Sequence, residues 1–271
     1  MGSYGGNMIS ILLSCYRTNL LYLKEQIDSI IHQTEQDWEL LVYDDGSEFL
    51  SFCLNEFNDD RIKLFEGKHL GYAKAYNFLL GKAKGEYICF CDHDDIWRWD
   101  KLETEKKYLD EHPSCDCVFG LLYFFGDKEG LEYISYSDKD ISKELLFWQP
   151  VRHPSVMFRK NKFKEFNSPY DCAGDYWFWS RHFDRNYHLI SKIMVNYRKH
   201  PNELTKNKEK FRENTAKIIQ TNLSEIFGKS YTLDECKKMD KYSKTYDKEL
   251  KESVQKEVWV LYKNGMYNKL T

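Results

Sequence analysis

What this chain has little of narrows its class. Only 5 of its 271 residues are proline and 14 are glycine, which excludes a collagenous or low-complexity linker chain. No stretch approaches the roughly 18 continuous apolar residues of a membrane-spanning helix. There is no excess of positive charge: 40 basic against 43 acidic residues leave a net charge of −3, so a nucleic-acid binder with a broad basic face is not expected. Cysteine occurs eight times but never as a CxxC pair, the spacing that signals zinc. Cys89/Cys91 and Cys115/Cys117 instead alternate within apolar runs, which predicts buried, reduced thiols in a reducing compartment. The opening residues MGSYGG lack the basic start and apolar core of a secretory signal, and residues 1–7 read as a flexible leader or tag remnant. The expectation is a cytoplasmic protein that touches, at most, the inner face of a membrane. No internal repeat is visible.

What is present is an alternation of apolar runs and helical patterns. Ile9–Ser14 is a nearly continuous apolar run, as in a strand buried on both faces. Leu20, Leu23, Ile27, Ile30 and Ile31 follow at helical spacing, with Thr18 or Asn19 placed to cap. Strands are predicted at Trp38–Tyr43, Arg61–Phe65 and Glu86–Cys91, with helices near Glu48–Asn58 and Tyr72–Lys84 between them. This order predicts an α/β fold with a mostly parallel sheet and right-handed crossovers. A helix over Asp100–His112 and a strand over Cys115–Phe125 come next. Residues 126–150 read as irregular, Val151–Arg159 and Ile190–Tyr197 as strands, and the Asp175–Phe183 region as a helix. Beyond residue 205 amphipathic stripes replace the alternation. Thr232–Glu235 has the capping-box pattern, and ten Lys and seven acidic residues fall between Lys229 and Thr271. That segment reads as a C-terminal helical extension, with a peripheral membrane or homo-oligomer contact through it left open.

Two acidic turns carry the chemistry. Asp92, Asp94 and Asp95 fall within four residues where the Glu86–Cys91 strand should end. Packed carboxylates repel, and a hard divalent cation such as Mg²⁺ or Mn²⁺, which prefers oxygen ligands, relieves that repulsion. Ligands of open α/β sheets bind beyond the carboxyl ends of the strands, so a metal holding a phosphate is the functional reading, against a solvated turn. Asp44-Asp45-Gly46-Ser47 likewise closes the Trp38 strand, either as a plain turn or as acceptors for a ribose hydroxyl or base N–H.

The order of these segments resembles the family 2 glycosyltransferases, with the nucleotide-sugar-binding GT-A fold, over roughly residues 8–205. The similarity runs through Ile9–Arg17, Ser29–Thr34 (SIIHQT), Asp44–Ser47, Gly71–Asn77 (GYAKAYN), Ala83–Ile88, Asp92–Asp95, His153–Arg159, Gly174–Trp177 and Tyr197–His200. The resemblance implies a GT-A catalytic domain over 8–205, an extension over 206–271, and metal-dependent transfer with inversion from a nucleotide-diphosphate sugar to a hydroxyl. The acceptor would be a glycan, lipid-linked or glycoprotein substrate, as in polysaccharide biosynthesis. Mn²⁺ or Mg²⁺ would be held by Asp94 with Asp92, and by His200. Tyr16, Asp44, Asp45, Lys74, Asn77, Asp92 and His93 would contact the donor, which is a UDP-sugar by preference and a dTDP-sugar as runner-up. His153 and Trp177 would line the acceptor side, where Asp175 would be the base. The family's middle motif often has Arg-Asn. Here it is Tyr76-Asn77, which shifts a basic diphosphate contact to Lys74. The usual acidic pair is reduced to Gly174-Asp175, with a helix N-cap as the plain alternative for Asp175. Trp177 and Trp179, two apart on a helix, cannot share a face, so at most one meets sugar. A sugar nucleotidyltransferase is disfavoured because Ser14–Asn19 contains no glycine. A catalytically inactive nucleotide-sugar-binding partner is disfavoured by the intact Asp92, Asp94 and Asp175.

Overall fold

The structure, a computed structural model, describes residues 8–132, 138–170, 172–201 and 207–267. The expected leader at 1–7 and the boundary at 205–206 lie outside the described residues. In chain order the elements are β1 (Ile9–Cys15), α1 (Leu20–Ile31), β2 (Trp38–Asp44), α2 (Leu50–Asn55), β3 (Ile62–Glu66), α3 (Tyr72–Lys82), β4 (Tyr87–Cys91), β5 (Ile96–Trp97), α4 (Lys101–Glu111), β6 (Cys117–Gly126), β7 (Gly130–Leu131), α5 (Asp138–Glu144), β8 (Val156–Arg159), α6 (Gly174–Arg181), β9 (Tyr187–Lys199), α7 (Lys208–Phe227), α8 (Leu233–Met239) and α9 (Lys248–Lys263). The chain divides into two compact units. One comprises Met1–Ser135, Arg152–Asn167 and Arg185–Pro201; the other comprises Tyr136–Val151, Ser168–Asp184 and Asn202–Thr271. Residues 136–151 and 168–184 therefore group with the C-terminal helices rather than with the sheet.

The first unit is built on a sheet of order β3-β2-β1-β4-β8-β6-β9-β5, with β7 on β6. β1 pairs in parallel with β2 and β4, and β2 with β3, as the alternating sequence predicts. β8 is antiparallel to both β4 and β6, so the sheet is mixed beyond β4. β1, β2 and β4 bury both faces because nearly every side chain is apolar. Asn19 caps α1, its Oδ1 accepting from the N–H of Leu21 at 3.0 Å. Glu39 is a buried charged residue of these strands, 3 % exposed. It accepts from Ser10 Oγ at 2.8 Å, Lys84 N at 2.8 Å and Lys63 Nζ at 2.7 Å, which closes the lower end of the sheet. Gly85 is required there, since a Cβ would meet Met8 O and Ser10 N at 2.6 Å. Seven of the eight cysteines are buried, Cys172 being half-buried.

Three stretches depart from the sequence reading. Residues 126–150, read as irregular, contain β7 and α5. The stretch read as a strand from Val151 begins with a 3₁₀ turn at His153–Ser155, and β8 starts only at Val156. β5 is two residues long and exists through antiparallel pairing of Ile96 with Asn196 and Trp97 with Val195.

In the second unit α7 buries Ala216, Ile218, Ile219, Leu223 and Ile226. Phe227 meets Phe183 at 5.8 Å, and Arg181 pairs with Glu225 at 2.8 Å. Glu144 accepts from Lys251 at 2.6 Å and Gln255 at 3.2 Å, fixing α9 to α5. Thr232 and Glu235 form the expected capping box on α8. Among the described residues no helix is long and apolar enough to cross a membrane.

Candidate functional site

The first acidic turn follows β2. Asp44 Oδ1 accepts from the N–H of Gly46 at 2.9 Å and of Ser47 at 2.7 Å, shaping the turn itself. Asp45, 2 % exposed, reaches to the start of α3. Its carboxylate accepts from Leu70 N at 2.5 Å and Gly71 N at 3.0 Å. Gly71 stands at φ +80°, a conformation glycine takes without a Cβ clash. Asp45 also faces His69, whose Nδ1 lies 3.1 Å from Oδ2 and donates to the Asp45 carbonyl at 2.8 Å. Tyr16, 40 % exposed, stacks on His69 with centroids 4.6 Å apart. Lys74 is exposed in the first turn of α3. Asn77 is tied to the chain at 166–167, accepting from Phe166 N at 3.2 Å and donating to Asn167 Oδ1 at 3.3 Å.

The second acidic turn, Asp92–Asp95, follows β4. The structure brings Asp94 together with His200, which lies just past the end of β9. Asp94 Oδ2 and His200 Nε2 are 2.8 Å apart. Asp92 and His93 are half-buried in the same turn, and burial lowers the His93 pKa, keeping that ring neutral. Asp95 is fully buried. Burial, then the neighbouring Asp94 and Asp92 carboxylates, push its pKa well up. Its Oδ1 accepts from Arg198 N at 3.0 Å, while Oδ2 has no hydrogen-bond partner among the described residues.

The Asp94–His200 pair fits a hard divalent cation on its donor chemistry. Mg²⁺ and Mn²⁺ accept one carboxylate oxygen and a neutral imidazole nitrogen, and fill the rest of an octahedron with phosphate oxygens and water. Adjacent ligands of an octahedron with bonds of about 2.1 Å lie about 3 Å apart, near the separation seen. Among the described residues no group of three or more His, Cys, Asp or Glu side chains converges for a metal, so such an ion would depend on oxygens from outside the protein.

The residues expected on the acceptor side fall in both units. In the first, His153 is 4 % exposed and stacks on Phe90 with centroids 4.4 Å apart, amid Tyr72, Tyr76 and Phe166. Its burial lowers its pKa to about 3. In the second, Asp175 lies in the first turn of α6. The N-cap is Ala173, so the simple capping role does not hold. Asp175 Oδ2 accepts from Gln149 Nε2 at 2.8 Å. Trp179 is buried, whereas Trp177 is half-buried, edge-on to Tyr170 at 5.7 Å and under Arg181 at 4.8 Å, the division the two-residue spacing predicts.

Sequence reasoning missed His69, Asp95 as a structural anchor, and Arg198. The signals were a histidine in the Gly67–Gly71 loop and an arginine two positions before His200.

Comparison with known proteins follows the same outline. The family model "Glycosyl transferase family 2" matches residues 10–187. An uncharacterized glycosyltransferase of Haemophilus influenzae is 30 % identical over 234 residues, covering 79 % of this chain and 72 % of its own. The Escherichia coli UDP-Glc:alpha-D-GlcNAc-diphosphoundecaprenol beta-1,3-glucosyltransferase WfgD is 28 % identical over 180 residues, 64 % of this chain and 68 % of its own. Among solved structures, S. aureus TarS 1-349 in complex with UDP-GlcNAc superimposes with a TM-score of 0.63 at 17 % identity, over 92 % of this chain and 78 % of that one. The mannosyltransferase PcManGT from Pyrobaculum calidifontis, in complex with GDP-Man and Mn²⁺, gives 0.56 at 15 % identity, over 78 % and 62 %. These likenesses identify the fold as GT-A.

Proposed function

The chain belongs to glycosyl transferase family 2 and is a glycosyltransferase, and on that premise we propose that it is a metal-dependent, inverting enzyme that moves a sugar from a nucleotide-diphosphate donor to an acceptor hydroxyl. The observation that carries this reading is the meeting of Asp94 and His200 at 2.8 Å. These two would hold Mn²⁺ or Mg²⁺, with Asp92 of the same turn positioned to join as the ion binds, and the ion would neutralise charge on the departing diphosphate. Asp44, Asp45 and Tyr16 would form the nucleotide end of the site, with Lys74, Asn77 and His93 along the diphosphate and sugar. Asp175 would accept the proton of the acceptor hydroxyl, which is a poor nucleophile without a base. Trp177 and His153 are assigned to the acceptor side by the family motif alone.

A UDP-sugar is the favoured donor. The UDP-GlcNAc named for TarS and the UDP-Glc named for WfgD support it, and the Mn²⁺ named for PcManGT supports the ion. The lipid-linked glycan named for WfgD favours a lipid-linked acceptor and a working position at the inner face of the membrane. The test is thermal denaturation against a panel of UDP-, dTDP- and GDP-sugars with Mn²⁺. A cognate donor at a hundredfold excess over Kd stabilises by about 2.7 kcal/mol. No shift with any nucleotide sugar would overturn the assignment.

A further inference from the structure

Arg198 is the point at which four parts of the first unit converge. Its main-chain N–H donates to Asp95 Oδ1 at 3.0 Å, and its Nε donates to the Asp94 carbonyl at 2.8 Å. Its Nη2 reaches Glu25 on α1. The guanidinium lies against two rings, Tyr22 at 4.2 Å and Phe125 at 4.4 Å, and the side chain is only 12 % exposed. Two residues further on, His200 meets Asp94, and the same Tyr22 ring lies 5.6 Å from the His200 ring.

We propose that Arg198 is a positioning residue that fixes the Asp92–Asp95 turn against the end of β9, so that Asp94 and His200 present their donor atoms as a preformed pair; the assignment rests on the metal reading above. β5 pairs with β9, Ile96 against Asn196, which brings the acidic turn beside the end of β9, but this ladder stops at Ile96 and Asn196, short of Asp94 and His200. Beyond it two bonds from Arg198 hold the turn, one from its main-chain N–H to Asp95 Oδ1 and one from its side-chain Nε to the Asp94 carbonyl. A direct grip on the substrate diphosphate is the rival role. It fits poorly, because Nε and Nη2 are engaged and aromatic rings sit against the guanidinium. Lysine cannot replace the arrangement: it has no Nε–H beside a planar fork and stacks poorly against rings. Residues that orient metal ligands from behind typically change metal affinity about 10–100-fold when replaced.

The test is Mn²⁺ binding, read from the free-ion electron paramagnetic resonance signal, in wild type, Arg198→Lys and Asp94→Ala, with transfer rates measured across Mn²⁺ concentration. Arg198→Lys should raise the Mn²⁺ Kd roughly 10–100-fold, with activity recovering at saturating Mn²⁺. Asp94→Ala should not recover. A folded Arg198→Lys protein with wild-type Mn²⁺ affinity, alongside loss of binding in Asp94→Ala, overturns the Arg198 assignment alone. Mn²⁺ binding that is absent from wild type, or unchanged in Asp94→Ala, overturns the metal reading and this proposal with it. If Arg198→Lys does not fold, Tyr22→Leu and Phe125→Leu, which remove only the flanking rings, must each weaken Mn²⁺ binding; wild-type affinity in both overturns the proposal.

Discussion

Asp45 and Gly71, 26 positions apart, are joined by a 3.0 Å bond from the glycine N–H to the Asp45 carboxylate. The acidic turn after β2 thus organises the start of α3 in addition to any contact it makes with a donor. Replacing Asp45 by alanine leaves the N–H groups of Leu70 and Gly71 without their acceptor, which costs about 1–3 kcal/mol. The loss should appear in urea denaturation without any nucleotide present. A role confined to donor contact predicts unchanged stability and weaker donor binding.

Asp175→Asn separates catalysis from structure on α6. Because Asp175 is not the N-cap, its replacement by the isosteric amide should change stability little. As the general base it should lower kcat by roughly 10²–10⁴-fold with donor affinity retained. Full kcat in the variant would remove Asp175 from the mechanism.

Glu39 gives the sheet a defined pH response. Burial alone would raise its pKa, but Lys63, the Lys84 N–H and Ser10 together hold it below its ordinary value of 4.5. A depressed folded value means the carboxylate contributes stability above the unfolded value and loses it as pH falls through that range. Glu39→Gln should therefore destabilise by about 1–3 kcal/mol near pH 7, and the gap from wild type should narrow below pH 4.5. Chemical denaturation at pH 7 and pH 4 reads it directly.

Lys101 and Glu105 form a salt bridge of 2.7 Å in α4 with both side chains fully buried, and the Lys101 ammonium also lies 4.2 Å from the Trp97 ring. Lys101→Met leaves a buried carboxylate alone and should cost about 3–5 kcal/mol, whereas Lys101→Met/Glu105→Leu should recover most of that loss. A double variant no more stable than the single one would mean the pair's geometry, rather than its charge balance, sustains α4.

The strands β1, β2 and β4 were legible because burial on both faces writes itself as an unbroken apolar run, and α1 because Leu23, Ile27 and Ile30 recur at helical spacing. The acidic turns were legible as motifs, and the pairing of Asp94 with His200 as a resemblance. What the sequence could not reveal is set by partners far along the chain. β8 enters between β4 and β6 because of where Met157 pairs, which no local pattern encodes. β5 is too short to have a period. His153 belongs to a matched motif, yet its ring lies in an aromatic cluster that only the fold assembles. Arg198 reads as an ordinary basic residue until Tyr22, Phe125 and the Asp94 carbonyl surround it.

If Asp94 and His200 hold a divalent ion, departure of the nucleotide diphosphate should depend on that ion. The most direct measurement is release of UDP from a stabilising UDP-sugar, followed in wild type, Asp94→Asn and His200→Asn with EDTA and then with added Mn²⁺. Wild type should fall silent in EDTA and recover with Mn²⁺, while Asp94→Asn, still folded, stays inactive in both and His200→Asn needs more Mn²⁺ to recover. Undiminished turnover by wild type in EDTA, or by Asp94→Asn in either condition, would contradict that dependence.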